Sequence, residues 1–275
     1  MFHICAIAKN EGLYLAEWLE YHLMIGVDRI IVYNNGSEDD TRELCTLYPE
    51  VELVNWPTRV DQQKRAYQDY LRRYRDGVDW VAFIDIDEFI CYRGTSSLEE
   101  YLSAVPRHCA GLELPWVSFD SCDHKKRPAG LVVENYTRAH SVAPQQNVKS
   151  ICRPAAVRSE MIDSPHRFSY QPGLSPVCTD IKELCIFHYT LRSYEDVRAK
   201  VLRGDAWCKE TERKRLANVD QAIHSILTKY DDADTTETHM LRHVDELKQR
   251  LSIRQQIYAF AVSDGESTDN LKLLP

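Results

Sequence analysis

Trp80-Val81-Ala82-Phe83-Ile84-Asp85-Ile86-Asp87-Glu88-Phe89 decides how the chain is read. An apolar run rich in β-branched and aromatic residues goes straight into two acids at i and i+2. Such a run reads as a buried strand. Alternate residues of an extended segment point the same way, so Asp85 and Asp87 are expected side by side at a strand end. Paired carboxylates repel unless a cation lies between them. Oxygen donors of this kind suit Mg²⁺ or Mn²⁺ shared with phosphate oxygens. The bland reading of the same pair is two solvated acids.

Upstream the pattern recurs. Residues 3–8, 29–33 and 51–56 are further apolar strands, and residues 11–25, 39–47 and 61–75 carry helical segments between them. Short apolar strands alternating with helices imply a parallel sheet covered on both faces. Right-handed crossovers make it doubly wound. Sheets of this kind hold ligands beyond the carboxyl ends of their strands, and three polar clusters fall there. Ala8-Lys9-Asn10-Glu11 follows the first strand, Asn34-Asn35-Gly36-Ser37 the second, and the D-x-D the fourth. Asn10 reads as the cap of the first helix, Ser37 or Asp39 as the cap of the next, and Asn-Gly as a turn. The same short polar groups suit a base or ribose. Lys64 and Arg65 read either as a solvated helix face or as partners of a diphosphate.

Past residue 95 the pattern weakens. Residues 98–104 read as a helix, 112–117 and 131–136 as strands around a polar loop, and 144–176 as irregular. Residues 186–189 read as a last strand; 194–203, 209–229 and 238–260 read as helices. His188, after an apolar run, is either a core histidine or a distant ligand for a D-x-D metal; His124 and His166 are weaker candidates.

Composition bounds the function. Of 275 residues, 44% are hydrophobic and 28% charged, which excludes disorder and collagen-like repeats. The net charge of −8 disfavours a duplex nucleic-acid partner. No window is apolar and long enough for a transmembrane span. No basic, apolar leader precedes Phe2, so none is expected. Nine cysteines contain no C-x-x-C, and the odd count at irregular spacing supports neither a zinc knuckle nor a disulfide framework. They read as reduced thiols of a cytoplasmic protein. No Ser/His/Asp or Cys/His signature and no phosphate loop is present.

Glu17-Trp18-Leu19-Glu20-Tyr21-His22, Gly26-Val27-Asp28, Tyr33-Asn34-Asn35-Gly36-Ser37 and the D-x-D segment form one long pattern with Ala8-Lys9-Asn10-Glu11. It continues through Lys149-Ser150-Ile151-Cys152-Arg153-Pro154, and through His188-Tyr189-Thr190-Leu191-Arg192-Ser193-Tyr194-Glu195-Asp196 with Lys200 and Gly204. This pattern resembles glycosyltransferases of families 2 and 92.

The resemblance implies an α/β fold of the GT-A, Rossmann-like type: a doubly wound mixed sheet with C-terminal helices. Residues 1–190 would be the catalytic domain, with 1–93 its nucleotide-binding half and 94–190 its acceptor-side half; 191–275 would be a helical extension. It implies a nucleotide-sugar donor, UDP-linked and for family 92 galactose, whose nucleotide meets Ala8, Asn10, Glu11, Asn34, Asn35, Ser37, Lys64, Arg65 and Asp85. A Mn²⁺ or Mg²⁺ ion would sit at Asp85 and Asp87, completed by His188. Transfer with inversion to a hydroxyl of a glycan or glycolipid needs a carboxylate base. The family's Trp-x-x-Phe-Gly segment here reads Trp116-Val117-Ser118-Phe119-Asp120, which makes Asp120 the first candidate, followed by Asp123 and Glu134.

Two other readings stand beside this one. Aspartate-nucleophile phosphatases also use D-x-D, but Phe89 follows Glu88 here and the motif follows a fourth strand. A non-catalytic glycan-binding module is the third reading. Lys209-Glu210-Thr211-Glu212-Arg213-Lys214-Arg215 reads as a solvated helix face that can also meet anionic lipid heads in peripheral membrane contact.

Overall fold

The computed structural model describes residues 1–57, 61–141, 147–158, 162, 164–203 and 218–262. The basic-acidic run 209–215, Leu216 and the tail from residue 263 lie outside the described residues. In chain order the elements are β1 (Phe2–Ala8), α1 (Gly12–Met24), β2 (Arg29–Asn34), α2 (Thr41–Thr46), β3 (Val51–Asn55), α3 (Gln62–Tyr74), β4 (Trp80–Phe83) and β5 (Glu88–Tyr92). Then come α4 (Leu98–Ala104), β6 (Cys109–Ser118), α5 (Val132–Asn135), β7 (Arg138–Ala139), β8 (Val148–Cys152), β9 (Ser175–Cys178) and β10 (Leu184–His188). The last are α6 (Tyr194–Arg203), α7 (Val219–Tyr230), β11 (Thr235–Thr236) and α8 (Val244–Val262). No described helix is long and apolar enough to cross a membrane.

The main sheet runs β3-β2-β1-β4-β8-β6-β10-β5, with β9 paired to β6. β1 to β4 are parallel, as the strand–helix rhythm requires. β8 lies antiparallel between β4 and β6, and β5 antiparallel beside β10, so the sheet is mixed. Alternation along β1 serves both faces. Ile4, Ala6 and Ala8 pack with α1, while Cys5 packs with Tyr67, Tyr70 and Leu71 of α3. This is the doubly wound, helix-covered arrangement expected.

The parallel relations bring the carboxyl ends of β1, β2, β4, β6 and β10 to one edge. Because β5 and β8 run the other way, their first residues, Glu88 and Val148, meet that same edge. The topology therefore gathers the D-x-D, Lys149 and His188 from separate parts of the chain.

Helix α1 does more than cover the sheet. β5 ends the strand order, and an edge strand leaves alternate backbone groups unpaired. The Trp18 indole donates to Glu88 O at 2.8 Å, the Tyr21 hydroxyl to Ile90 O at 2.7 Å, and His22 Nε2 accepts from Ile90 N at 3.4 Å. Glu17 accepts from the backbone of Val132 and Val133 at 2.7 and 3.0 Å. Glu20 lies between Arg250 and Arg254 of α8, each at 3.0 Å. The Glu17-to-His22 segment of the family pattern is thus a buried scaffold rather than part of the cleft.

Glu17 also explains a departure from expectation. Residues 131–136 read as a strand, yet Val132–Asn135 forms a helical turn. The buried carboxylate caps the first amides of that turn, and a tertiary hydrogen-bond pair overrides β-branched propensity. The C-terminal elements join the same body: Met240, Leu247 and Leu251 are in the core, and β11 pairs with β7.

His22 supplies a pH test of this scaffold. Burial drives its imidazole down from 6.5 to about 3, against the hydrogen bond to Trp18 O at 2.7 Å. The unfolded chain then binds a proton that the folded chain refuses, between about pH 6.5 and 3. Stability should fall as pH drops through this window, by about 1.4 kcal/mol per pH unit at most. Urea titrations of His22→Asn should show a flatter acid limb than wild type; parallel limbs would remove His22 from the account.

Candidate active site

The two acids do not continue the strand. Asp85 and Asp87 sit in a turn closed by Glu88 N donating to Asp85 O at 3.1 Å, and their carboxylates take different partners. Asp85 Oδ2 accepts from Lys149 Nζ at 2.7 Å and Oδ1 from Gln63 Nε2 at 2.6 Å. Asp87 Oδ2 meets Lys200 Nζ at 2.7 Å, and Oδ1 lies 3.6 Å from His188 Nε2. The expected side-by-side pair is therefore corrected: a turn, not an extended segment, carries the acids, and it splays them.

Lys149 is fully buried, and so is Glu88, 3.3 Å from it. Burial and the charges of Asp85 and Asp87 push the Glu88 carboxyl up to about 8 despite Lys149. Lys149 stays protonated: burial, the largest single influence, opposes its charge, but Asp85 and Glu88 together outweigh it. Asp87 behaves in the opposite way to Glu88. Burial works against its charge, but Lys200 and then His188 hold it well below the usual carboxylate range. The His188 imidazole is held below its ordinary value by burial, with Asp87 pulling the other way, so it is neutral at pH 7. Its ring packs on Trp116 at 4.1 Å, and its Nδ1 lies 2.9 Å from the Thr190 hydroxyl.

The loops after β1 and β2 are laced to each other. Asn10 N donates to Ser37 Oγ at 2.9 Å, and Asn10 Oδ1 accepts from Glu38 N at 2.8 Å. Glu11 N donates to Thr41 Oγ1 at 3.1 Å, and Gly12 N to Asp39 Oδ2 at 2.8 Å. Asn35 N reaches Ala8 O at 2.8 Å, and Asn35 Nδ2 reaches Trp56 O at 2.8 Å. Asn34 Oδ1 accepts from Ser37 N at 2.9 Å, while its buried Nδ2 has no hydrogen-bond partner. Ala8, Asn10, Glu11, Asn34, Asn35 and Ser37 are thus brought together. Asn10 is not the cap of α1; it takes a left-handed conformation at φ 53° that turns the loop toward Ser37.

The remaining candidates sit apart from this cluster. On α3 the neighbour Gln63, not Lys64 or Arg65, reaches Asp85; Lys64 is half-buried and Arg65 exposed. Asp120 is buried, and its oxygens hold Arg138 Nε at 2.5 Å, Cys122 N at 2.8 Å and Ala233 N at 3.2 Å. As placed, it is buried and anchors its loop through these contacts. Asp123 is 72% exposed, and the Arg138 hydrogen bond holds its carboxyl below the usual range, which makes it a weak base. Glu134 pairs with Lys248 at 2.6 Å.

Gln63, Lys149, Trp116, Arg192 and Lys200 line the site without having been singled out from sequence as site residues. Lys149, Arg192, Lys200 and Trp116 fall within the quoted family segments, and that membership was the available signal; Gln63, on α3, gave none.

Among the described residues no cluster of three or more His, Cys, Asp or Glu side chains is assembled for a metal. The donor set still fits one. A buried carboxylate and a neutral imidazole converge at Asp87 and His188, a borderline N/O pair that suits Mn²⁺ when phosphate oxygens complete it. Asp85, with both oxygens taken, is outside that pair.

A doubly wound sheet with a D-x-D turn at its strand ends defines the class: a GT-A-type α/β protein. The family model described as Glycosyltransferase family 92 matches residues 4–256. The chain belongs to glycosyltransferase family 92. A family 92 protein of Oryza sativa subsp. japonica is 31% identical over 72% of this chain and 34% of its own. One of Ricinus communis is 32% identical over 73% and 37%. The chain thus spans about a third of the length of these relatives. Among solved structures, mannosyl-3-phosphoglycerate synthase from Rubrobacter xylanophilus overlaps 46% of this chain and 43% of its own, at a TM-score of 0.32 and 16% identity. Glucosyl-3-phosphoglycerate synthase from Mycobacterium tuberculosis, in complex with Mn²⁺, UDP-glucose and phosphoglyceric acid, overlaps 42% and 43%, at 0.30 and 17%. These overlaps are too partial to carry function across.

Proposed function

We propose that the chain is a metal-dependent inverting glycosyltransferase, moving a sugar from a UDP-linked donor, galactose by family resemblance, to a hydroxyl of a glycan or glycolipid. The observation that carries this is the convergence of Asp87 and His188 at 3.6 Å in the strand-end cleft, beside the laced loops after β1 and β2. Family membership supports it. In this reading Asp87 and His188 hold Mn²⁺ or Mg²⁺, which when bound neutralises the diphosphate as it leaves. Lys149 and Gln63 hold Asp85 in place beside the nucleotide. Asn10, Asn34 and Ser37 shape the base and ribose pocket, and Asn34 Nδ2 is its spare donor. Family 92 membership disfavours the aspartate-nucleophile reading.

A thermal-shift panel of nucleotide sugars with Mn²⁺ tests the reading. A ligand at 100 times its Kd stabilises the fold by about 2.7 kcal/mol, so a UDP-sugar should raise the Tm and also be slowly hydrolysed. Silence to every nucleotide favours the binding module, and phosphate release from an aryl phosphate favours the phosphatase. His188→Ala should raise the Mn²⁺ concentration for half-activity by about tenfold or more, since even an outer-shell partner of a metal ligand is worth about 10–100-fold. A Mn²⁺ titration superimposable on wild type would leave His188 as core packing against Trp116.

A further inference from the structure

One buried cation near the strand ends has two donors that no described group meets. Arg192, four residues past His188, is 5% exposed and takes a left-handed backbone conformation at φ 53°. Its guanidinium lies over the Tyr14 ring, 3.7 Å from the centroid. Its nearest carboxylate contact is Glu11 Oε2, 3.6 Å from Nη2 and beyond hydrogen-bond length. Nε and Nη1 are both buried without a hydrogen-bond partner. A buried charged donor left unmade is costly, and unsatisfied groups in a native fold call for an explanation.

The neighbouring charges do not supply one. Asp196 is taken by Arg127 at 2.6 Å, and Asp87 by Lys200 at 2.7 Å. Arg127 also donates to the Tyr14 hydroxyl at 2.8 Å. Arg192 remains as a fixed fork between the loop after β1, which carries Glu11, and the turn that carries Asp87. Lys200, 38% exposed, is the mobile cation beside it.

We infer that Arg192 anchors the diphosphate of the donor, its Nε and a terminal nitrogen donating to phosphate oxygens, with Lys200 as the second, adaptable cation. Planar bidentate donation is what a guanidinium offers an oxyanion, and stacking on Tyr14 fixes the plane in advance. The inference rests on the nucleotide-sugar reading and moves the diphosphate role from Lys64 and Arg65 to the far side of the D-x-D turn.

Calorimetry of the full chain with Mn²⁺, comparing UDP with uridine, tests it. Wild type should bind UDP far more tightly than uridine. Arg192→Gln should weaken UDP by about 30-fold, the scale of one charge-assisted hydrogen bond lost net of what the glutamine amide still makes, and leave uridine unchanged. A merely structural arginine would lower the Tm and spare the UDP-to-uridine ratio, which would overturn the inference. Should Arg192→Gln not fold, Arg192→Lys decides: it keeps the charge but not the fork, so UDP affinity should fall about tenfold, and wild-type affinity would overturn the inference. Wild type that binds neither ligand would instead defeat the nucleotide reading itself.

Discussion

Asp87→Asn is expected to lower turnover by about a thousandfold, ~4 kcal/mol in the barrier, while the protein stays folded. The amide keeps the volume of the acid but loses the charge that pairs with Lys200 and that, in the proposed function, holds a divalent ion. Asp87 is held well below the usual carboxylate range, so the wild-type group is ionised at every working pH. The fold survives because Lys200 is 38% exposed and can rehydrate when its partner is lost. Discounted for solvent screening, the cost to stability is about 1 kcal/mol. Steady-state assays with a melting curve on the same sample check both halves. Full activity of the variant in the presence of EDTA would remove the metal from the proposed mechanism.

Lys149→Met should do the reverse, acting on stability first. Lys149 is fully buried, 2.7 Å from Asp85 and 3.3 Å from Glu88. Removing one partner of a buried ionic cluster leaves charge uncompensated and costs about 3–5 kcal/mol. In a chain of this size that is a Tm drop of about 10 °C. Adding Glu88→Gln should recover little of the loss at pH 7, where the Glu88 carboxyl, raised to about 8, is already mostly protonated and Asp85 is the acid left uncompensated; Glu88 O still receives the Trp18 indole through the backbone. A double-mutant cycle by urea denaturation measures the coupling. An unchanged Tm for Lys149→Met would mean that the D-x-D turn is held by Gln63 and the backbone alone.

The two variants separate two jobs that one short motif carries. Asp87 faces the cleft through Lys200 and His188, whereas Asp85 and Glu88 face inward to Lys149. From sequence the acids differ only by position, and nothing local says which one is the structural member. The same limit applies to Glu17-Trp18-Leu19-Glu20-Tyr21-His22. Its recurrence in the family pattern was legible, but its task of covering the free edge of β5 depends on where β5 falls in the strand order.

What the sequence determined alone is what local periodicity encodes. Apolar runs of strand length, helical spacing between them and polar residues at each strand end were enough for a doubly wound sheet and for the D-x-D at its carboxyl edge. These features follow from burying one face of each element, a constraint that acts within a few residues. The tertiary structure decided what depends on long-range register. It chose an antiparallel β8 to bring Lys149 under Asp85, and an antiparallel β5 to set Glu88 beside His188. It turned Val132–Asn135 into a helix by means of a carboxylate from α1, and it closed Asp120 off with Arg138 and Ala233. Each outcome turns on which charge finds which partner away from water. The cost of leaving a buried charge unpaired outweighs the preference of any single residue, and that pairing exists only once the strands have taken their places.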